Sequence, residues 1–454
     1  MQHHAVSLLA LAGLASTAFG ADDAASSGEV TELRAMVKDL QKQVDELKAE
    51  DEGDSWLTQG RAAEIKNLVQ DVLADADTRA SLLQSGALAG YDKGFFLSSA
   101  DGNFMLRISG QLQVRYVYNH RNDPPTFPPP ADPPDEHRSG FEIRRAKIMF
   151  KGHVFDPTWT YDMQFAADRN TGTVTLEDNG WIQKDFENGF KIKSGQMKAP
   201  YMLEEILSST RMFAVERTLF NSFFTAGTVQ GVNFIYDADR WRVQGMYYDG
   251  NRSANTGWQV PDTEWGAVGG RVEFLVIGDD WKQFQDYDGW RGQATGLMIG
   301  AATNYQKGEF GTAAIAYETG NFRFTVHVTC NFSGFTINGA FAYRNLVPNS
   351  AALVTADQFR FYAQGGVFLT DDLELYLRYE WADADMVAVP NDLSVGTIGV
   401  TKFFDKLNLK WQTDFGYGFD PVDVGFSQSS AGWLPDSVNE DGQIVIRSQM
   451  QLLF

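Results

Sequence analysis

Apolar and polar residues alternate with a period of two from about Gly94 to the last residue of the chain. The segment 104–118, FMLRISGQLQVRYVY, shows this pattern clearly. Because successive side chains of a strand point to opposite faces, each such segment forms a strand with one apolar and one polar face. Segments of about ten residues with this alternation are typical of transmembrane β-barrels.

The final segment, GQIVIRSQMQLLF, keeps the alternation up to Phe454. A strand with one apolar face needs a neighbour to pair with. The segment can be the edge strand of a soluble sheet or the closing strand of a membrane barrel, in which no backbone group is left unpaired in lipid.

The number of strands and the lengths of their connections favour the barrel. The period-two pattern predicts sixteen strands, and an even number brings both ends of a bacterial barrel to one side. They are residues 104–118, 141–154, 158–168, 174–186, 189–198, 230–237, 240–249, 265–277, 294–305, 322–332, 334–345, 358–369, 372–382, 394–403, 406–417 and 442–454. Short connections follow the even strands and long ones the odd strands, except that residues 278–293 are long where a short turn is expected. We therefore predict a 16-stranded antiparallel transmembrane β-barrel over residues 91–454.

The first 90 residues follow a different pattern. Residues 1–20 contain a short apolar run followed by small residues, as in a cleaved secretory signal peptide. Within 21–53, apolar residues at alternating steps of three and four from Val30 to Leu47 predict an N-terminal α-helical coiled-coil segment. A single amphipathic helix packed on its own protein is the alternative. Residues 54–90 are predicted to form a helical linker segment.

The connection 199–229 is too apolar to extend into solvent. We predict that it packs on the inner wall of the barrel and constricts the pore. Its charged residues would then project into the channel: Glu204, Glu205, Arg211, Glu216 and Arg217. The alternatives are a loop that caps the barrel or packs at a subunit contact.

Composition excludes several classes of function. The single Cys provides neither a disulfide framework nor a thiolate metal site. A net charge of −21 argues against nucleic-acid binding, which needs a basic face. The six His residues form no grouping with Ser and a carboxylate and show no metal-ligand spacing. We therefore expect neither an enzyme nor a cofactor or metal.

Three stretches resemble the phosphate-selective porin O and P family: GFFLSSADGNFMLRISGQLQVRY, FEIRRAKIMFKGHVFDPTWTYDMQF and GQMKAPYMLEEILSSTRMFAVERTLFNSFFTAGTVQGVNF. Weaker likeness continues to Phe454. The resemblance implies a trimeric 16-stranded outer-membrane porin whose third outer loop folds into the channel.

The polar faces of the predicted strands carry more Arg and Lys than Asp and Glu, although the whole chain is acidic. Rings of basic side chains favour anions in a pore, and the planar fork of Arg suits oxyanions. We predict that the pore-lining, anion-binding residues are Arg107, Arg115, Arg145, Lys147, Lys151, Arg211 and Arg217. The acidic residues of the 199–229 loop, Glu204, Glu205 and Glu216, could cancel some of this charge. Alternatively, paired charges brace the wall.

The function predicted from the sequence is passive diffusion of small solutes, preferentially anions such as phosphate, through a trimeric outer-membrane porin. We expect the barrel to contact outer-membrane lipid and the N-terminal helices to be periplasmic. The alternative is a structural protein whose coiled coil tethers the outer membrane to the cell wall.

Overall fold

In the computed structural model, the described residues are 87–122, 135–259, 263–310, 317–349, 354–383, 392–422, 425–437 and 440–454. Isolated helical residues are also described nearer the N-terminus: Ala35, Lys38, Asp39, Gln41, Lys42, Lys66, Asn67 and Gln70. The chain divides into two units, Met1–Gln84 and Ser85–Phe454. Apart from those isolated residues, the predicted signal peptide, coiled coil and residues 54–86 of the helical segment lie outside the described residues and remain predictions.

The described residues of the second unit form eighteen β-strands. They are β1 (Ala87–Tyr91), β2 (Phe95–Ser99), β3 (Met105–His120), β4 (His137–Val154), β5 (Asp156–Ala167), β6 (Val174–Asp185), β7 (Phe190–Lys198), β8 (Thr228–Asp237), β9 (Trp241–Tyr248), β10 (Thr263–Ile277), β11 (Gly296–Phe310), β12 (Tyr317–Phe332), β13 (Phe335–Pro348), β14 (Ala356–Phe368), β15 (Leu373–Asp383), β16 (Asp392–Asp405), β17 (Leu409–Gly418) and β18 (Ile444–Leu453). The helices are short: α1 (Leu203–Ile206), α2 (Leu219–Phe224) and 3-10 turns at Ser209–Arg211, Trp281–Phe284 and Ser429–Ala431.

Strands β3 to β18 form a closed antiparallel barrel of sixteen strands. Each pairs with its neighbours along the chain, and β18 returns to pair with β3 from Ile444↔His120 to Leu453↔Gln111. The closed 16-stranded barrel is therefore confirmed, and every predicted strand overlaps one observed strand. The open edge of a soluble sheet, the alternative for the last segment, does not occur.

Strands β1 and β2 form a hairpin that the sequence pattern did not predict. We assigned residues 87–90 to the helical segment, and this was wrong, because they lie in β1. The chain turns between the two strands at Lys93 and Gly94, both of which have positive φ. Strand β2 pairs with the start of β3, from Phe95↔Ile108 to Ser98↔Met105.

The hairpin and the C-terminal strand share one edge of β3. Just beyond β2, Gly110 and Phe454 exchange two backbone hydrogen bonds, with N···O distances of 2.7 and 3.1 Å. A Cβ atom at position 110 would lie 2.2 Å from Cζ of Phe454. The aromatic ring therefore lies directly over Gly110, and a side chain at this position would have to displace it.

The barrel is apolar outside and polar inside, the reverse of a soluble protein. In β14, Phe359 and Phe361 are 37% and 39% exposed, whereas Arg360 and Gln364 are 0% and 3% exposed. The same alternation recurs in β18. An outward apolar band with an inward polar face matches a lipid environment.

Connection lengths distinguish the two ends of the barrel. At the end that we call inner, short turns join β4–β5, β6–β7, β8–β9, β12–β13, β14–β15 and β16–β17. At the outer end the links are longer, up to those between β7 and β8 and between β17 and β18. One inner connection is long, between β10 and β11.

Three apolar clusters fill much of the barrel interior, and each contains residues of the 199–229 connection. Phe220 and Phe224 pack with Tyr248 and Tyr362 of the wall in the first cluster. Phe213 belongs to the second cluster, and Leu219 belongs to the third. The helical segments of the described part of the chain fall short of the length and hydropathy that a membrane-spanning helix requires.

Candidate pore constriction and anion site

Residues 199–229, called the constriction loop below, lie inside the barrel. The loop leaves β7, and side chains of the far wall donate hydrogen bonds to its backbone carbonyls. Arg360 Nη1 of β14 contacts Leu219 O at 3.3 Å. Gln412 Nε2 of β17 contacts Phe213 O at 2.7 Å. The loop therefore crosses the interior and is held at both walls, as a constricting loop requires.

The Glu216 carboxylate is the main electrostatic contact between this loop and the wall. It accepts hydrogen bonds from Arg115 Nη1 at 2.8 Å, Arg144 Nε at 2.6 Å and Arg145 Nη2 at 2.9 Å. Arg378 Nη1 also donates to the Glu216 backbone carbonyl, at 2.9 Å. Although burial alone would raise the pKa of Glu216, the three guanidinium groups hold it well below its ordinary value.

A β-bulge explains how two consecutive arginines reach the same carboxylate. Neighbouring strand residues normally face opposite sides. Here the β3–β4 register shifts between Gln113 and Val114, whose partners are Arg145 and Ile143, so Arg144 is the extra residue. The sequence analysis missed Arg144 because it assumed strict alternation. The Arg-Arg pair, which interrupts that alternation, is the signal that could have revealed it.

The other charged residues of the loop mostly hold the loop itself together. Arg217 donates to the backbone carbonyls of Glu204 at 2.9 Å and of Leu207 at 2.9 Å. The Glu204 carboxylate accepts from the Thr218 backbone N–H at 3.0 Å. Asn221 Nδ2 donates to the Glu205 carboxylate at 2.6 Å. These contacts give the loop a defined shape despite its short helices.

The remaining basic residues selected from the sequence also have partners. Lys147 Nζ lies 3.0 Å from Asp178 Oδ2, and Lys151 Nζ lies 3.1 Å from Asp162 Oδ2. Arg107 Nη2 lies 2.9 Å from Asp92, while Arg211 Nη1 donates to the Gln285 backbone carbonyl at 3.2 Å. A neighbouring carboxylate offsets the charge of Arg107, Arg115, Arg145, Lys147 and Lys151. These pairs fit the bracing alternative, and an anion-binding role for these residues remains a prediction.

A second group of arginines has no carboxylate partner among the described residues. Their guanidinium groups donate to the backbone carbonyls at the end of α2. Arg252 Nη2 contacts Ser222 O at 2.7 Å, Arg344 Nη1 contacts Phe223 O at 3.3 Å, and Arg323 Nη1 contacts Thr225 O at 3.0 Å. Carbonyl groups at a helix C-terminus carry partial negative charge, so they can hold several cations side by side without neutralising them.

These three arginines line a cavity of about 580 Å³ above the constriction loop, called the outer vestibule below. Its walls also include Phe223, Phe426 and polar residues of the outer connections. Among the described residues of the lining, Asp249 supplies the only carboxylate. Since the contacts to α2 use only part of the five N–H groups of each guanidinium, further donors remain for a solute.

Sequence reasoning ranked these residues too low or missed them. Arg323 and Arg344 lie on polar strand faces, but nothing in the local pattern distinguishes them from ion-paired arginines. Arg252 lies in an outer connection that the sequence left without a role. What separates them is the absence of a nearby carboxylate, and that depends on contacts between residues far apart in the chain.

The long connection at the inner end, residues 278–293, also folds into the barrel and is called the inner loop below. The Tyr287 ring stacks on Phe213 of the constriction loop, with 5.5 Å between ring centroids. Tyr287 N also donates to Arg211 O at 3.3 Å. Trp290 packs against Phe403 of the wall at 4.8 Å. The exception to the short-turn rule is therefore an inner turn that meets the constriction loop inside the barrel.

Two carboxylates of the inner loop lie in this apolar surrounding. Asp288 is fully buried, and Asp286 is partly buried. Burial, together with the neighbouring Asp288 carboxylate, raises the pKa of Asp286 to about 7. The protonation state of this loop therefore changes close to neutral pH.

Comparison with protein families shows which family the chain belongs to. A family model described as phosphate-selective porin O and P matches residues 129–417. The chain belongs to this family. The resemblance found in the sequence is thus confirmed, and the barrel is that of an outer-membrane porin. A search of the curated proteins finds no match to this porin.

Solved porin structures share the fold at low sequence identity. OmpT of Vibrio cholerae in its trimer form is 12% identical, with a TM-score of 0.53, covering 77% of this chain and 99% of OmpT. An anion-selective porin from Comamonas acidovorans is 11% identical, with a TM-score of 0.53 and 77% and 100% coverage. The outer membrane channel DcaP of Acinetobacter baumannii is 11% identical, with a TM-score of 0.51 and 80% and 100% coverage. At such identity these likenesses describe the fold alone.

Proposed function

We propose that this porin is a trimeric, water-filled channel for passive diffusion that prefers small anions, with phosphate and similar oxyanions as its solutes. The observation that carries the proposal is the outer vestibule, where Arg252, Arg323 and Arg344 face a cavity whose described lining residues include a single carboxylate. Planar guanidinium groups bind oxyanions through paired N–H donors. The family and the anion-selective porin of similar fold support this reading.

The overall charge of −21 does not oppose the proposal. Charges more than about 8–10 Å from an ion are largely screened at physiological salt. The vestibule arginines therefore weigh more than distant acidic residues. An anion about 6 Å from one of these charges gains about 0.7 kcal/mol in water, a factor of about three in local concentration.

Reversal potentials in a planar bilayer under a KCl gradient test this proposal. The wild-type channel should prefer chloride, and the double variant Arg323→Gln with Arg344→Gln should lose roughly a factor of ten in chloride-to-potassium permeability ratio. Phosphate should partly block the wild-type current and block the variant less. Lys282→Gln, at an exposed position of the inner loop, is the matched control and should leave selectivity unchanged. A wild-type channel that prefers potassium would contradict the proposal.

We propose a homotrimer because the heptads between Val30 and Leu47 supply a self-association surface and because OmpT, a porin of similar fold, was solved as a trimer. Dissolved in mild detergent, the protein should have the mass of three chains, and boiling should convert a slowly migrating band into the faster band of the single chain. A monomer before boiling would contradict trimer formation.

The second candidate function is a tether to the cell wall through the N-terminal segment, which the same heptads favour. Removal of residues 21–84 distinguishes the two candidates, because this cut leaves β1 and the barrel intact. A porin keeps its conductance after the deletion. A tether loses its attachment to isolated cell wall while the barrel still inserts.

A further inference from the structure

Two histidines and a glutamate meet at the outer end of the barrel, outside the constriction and the outer vestibule. His120 ends β3 and His137 begins β4, and the two are partners in the strand register. Their rings are nearly parallel, with 4.5 Å between centroids. Glu136 is held beside them because Arg121 N donates to its backbone carbonyl at 2.9 Å. One donor atom from each of the three side chains lies within 4.8 Å of the others.

We propose that His120, Glu136 and His137 form a binding site for a divalent transition-metal ion, with Zn²⁺ as the best match. Two imidazole nitrogens and one carboxylate oxygen, with water in the fourth position, are a common Zn²⁺ ligand set. With metal–ligand distances of about 2.1 Å, tetrahedral ligands lie about 3.4 Å apart. The donor atoms therefore need to approach by no more than about 1.4 Å, which side-chain rotation at these solvent-accessible positions can supply.

The surroundings of the two rings suit metal ligation. Tyr118 Oη lies 2.9 Å from His137 Nδ1. With Nδ1–H of His137 donating to this hydroxyl, its Nε2 is the nitrogen left to bind a metal ion. Histidines that bind metals usually donate their other ring N–H to a neighbouring group in this way. Nδ1 of His120 is buried without a hydrogen-bond partner among the described residues. Since buried polar atoms normally have a partner, a bound cation would satisfy it.

Neighbouring charges leave the site open to a cation. Arg121 Nη1 donates to the backbone carbonyl of Pro435, and Nη2 lies 3.5 Å from the backbone carbonyl of Asp135, so both contacts of this guanidinium are to carbonyl groups rather than to the Glu136 carboxylate. The Glu136 carboxylate makes no hydrogen bond or ion pair with the described residues, so it is available as a ligand. No thiolate competes, because Cys330, the only Cys, lies near the inner end of β12.

Calorimetric titration of Zn²⁺ into the untagged full chain in detergent tests the site. We expect one Zn²⁺ per chain, a loss of affinity of tenfold or more in His137→Gln and in Glu136→Gln, and no competition from Mg²⁺, which prefers oxygen ligands. Co²⁺ bound to the same site should give the visible absorption of a tetrahedral complex, and this absorption should be lost in His120→Gln.

Two controls separate this site from other histidines. His153→Gln changes the same strand, but the His153 ring nitrogen Nε2 donates to Gly102 O at 2.8 Å, and Zn²⁺ binding should be unchanged in this variant. Replacing His3 and His4 by Gln should also leave binding unchanged. Each variant must keep the heat-dependent migration of the folded barrel. Binding that survives His120→Gln together with His137→Gln, or that disappears in the His3 and His4 variant, would overturn the proposal.

Discussion

Replacing Glu216 by Gln should release the constriction loop from the wall. The carboxylate is almost completely buried and accepts hydrogen bonds from Arg115, Arg144 and Arg145. Gln has nearly the same shape but no charge, and its amide group presents two N–H donors to a site that consists of donors. The substitution therefore leaves the buried guanidinium groups of Arg115 and Arg145, and the partly exposed one of Arg144, facing a neutral acceptor in place of the Glu216 carboxylate.

The size of the effect follows from the burial of the pair. Removing one partner of a buried ion pair costs about 3–5 kcal/mol, since the remaining charge loses its counter-charge. Each 1.4 kcal/mol is about a factor of ten in an equilibrium. When the docked state of the constriction loop is destabilised by this free energy, the fraction of molecules with an undocked loop rises roughly 10²- to 10³-fold.

Single-channel recording in planar bilayers measures the result. Glu216→Gln should give larger and noisier currents than wild type, because the loop moves in the pore. Its reversal potential should also shift toward chloride, because the variant removes one negative charge beside three positive ones. Unfolding by urea in detergent should begin at a lower concentration.

Glu142→Gln is the matched control. Glu142 contacts Arg115 and Arg169, but its side chain is 24% exposed. A partly exposed pair contributes about 1 kcal/mol or less, so the control should change conductance and noise little. If Glu216→Gln matches wild type in conductance, noise, selectivity and unfolding, the Glu216 cluster does not hold the loop.

The other predictions concern the two loops that meet inside the barrel. Removing residues 203–219 should raise conductance and leave trimers intact, because the deleted residues cross the lumen; an unchanged conductance would place the loop outside the ion path. The inner loop should loosen as pH rises. The pKa of Asp286 is raised from 3.8 to about 7, so its neutral form stabilises the docked loop fully below about pH 4, and this contribution is lost as pH passes about 7. Asp288 and Lys410 also face this group, and Arg211 of the constriction loop adds an opposing charge. Conductance and noise should therefore increase between about pH 4 and pH 7, and Asp286→Asn should abolish this change; the same pH dependence in the variant would rule out Asp286 as its source.

The strands could be predicted from the sequence because contact with lipid requires apolar side chains over the whole outer surface of the barrel. In β14 and β18 most outward residues are apolar, with Asp357 and Ser448 as the polar exceptions, so the period of two is nearly uninterrupted. The β1–β2 hairpin was not predicted because the residues of β1, ALAGY, have small side chains and no clear alternation of apolar and polar positions. Residues 87–90 were instead assigned to the helical segment. The unusual length of the inner loop was visible in the sequence. Its position inside the barrel depends on the contact between Tyr287 and Phe213, which local sequence does not encode.

The candidate site was less predictable than the barrel. Residue type placed Arg145 and Lys147 correctly on the polar face, yet their partners Glu216 and Asp178 come from distant segments. Which arginines are neutralised and which remain available depends on these distant contacts. Arg115 and Arg145 pair with carboxylates, whereas Arg323 and Arg344 contact backbone carbonyls, and this difference is a property of the three-dimensional structure.

The junction of β2, Gly110 and Phe454 also bears on how the barrel assembles. Closure joins residues more than 300 positions apart, so it carries a large entropic cost and is expected to be a late step. Strands that meet late can slip by two residues and still keep their apolar faces outward. Here β2 already occupies the edge of β3 up to Ile108, and the Phe454 ring lies over Gly110, which leaves room for it. The hairpin thus acts as an end stop for the arriving strand and selects one stagger of the strands. Since stagger and strand number together set the diameter of a barrel, we expect a thirteen-residue segment outside the barrel wall (residues 87–99) to influence the width of the channel.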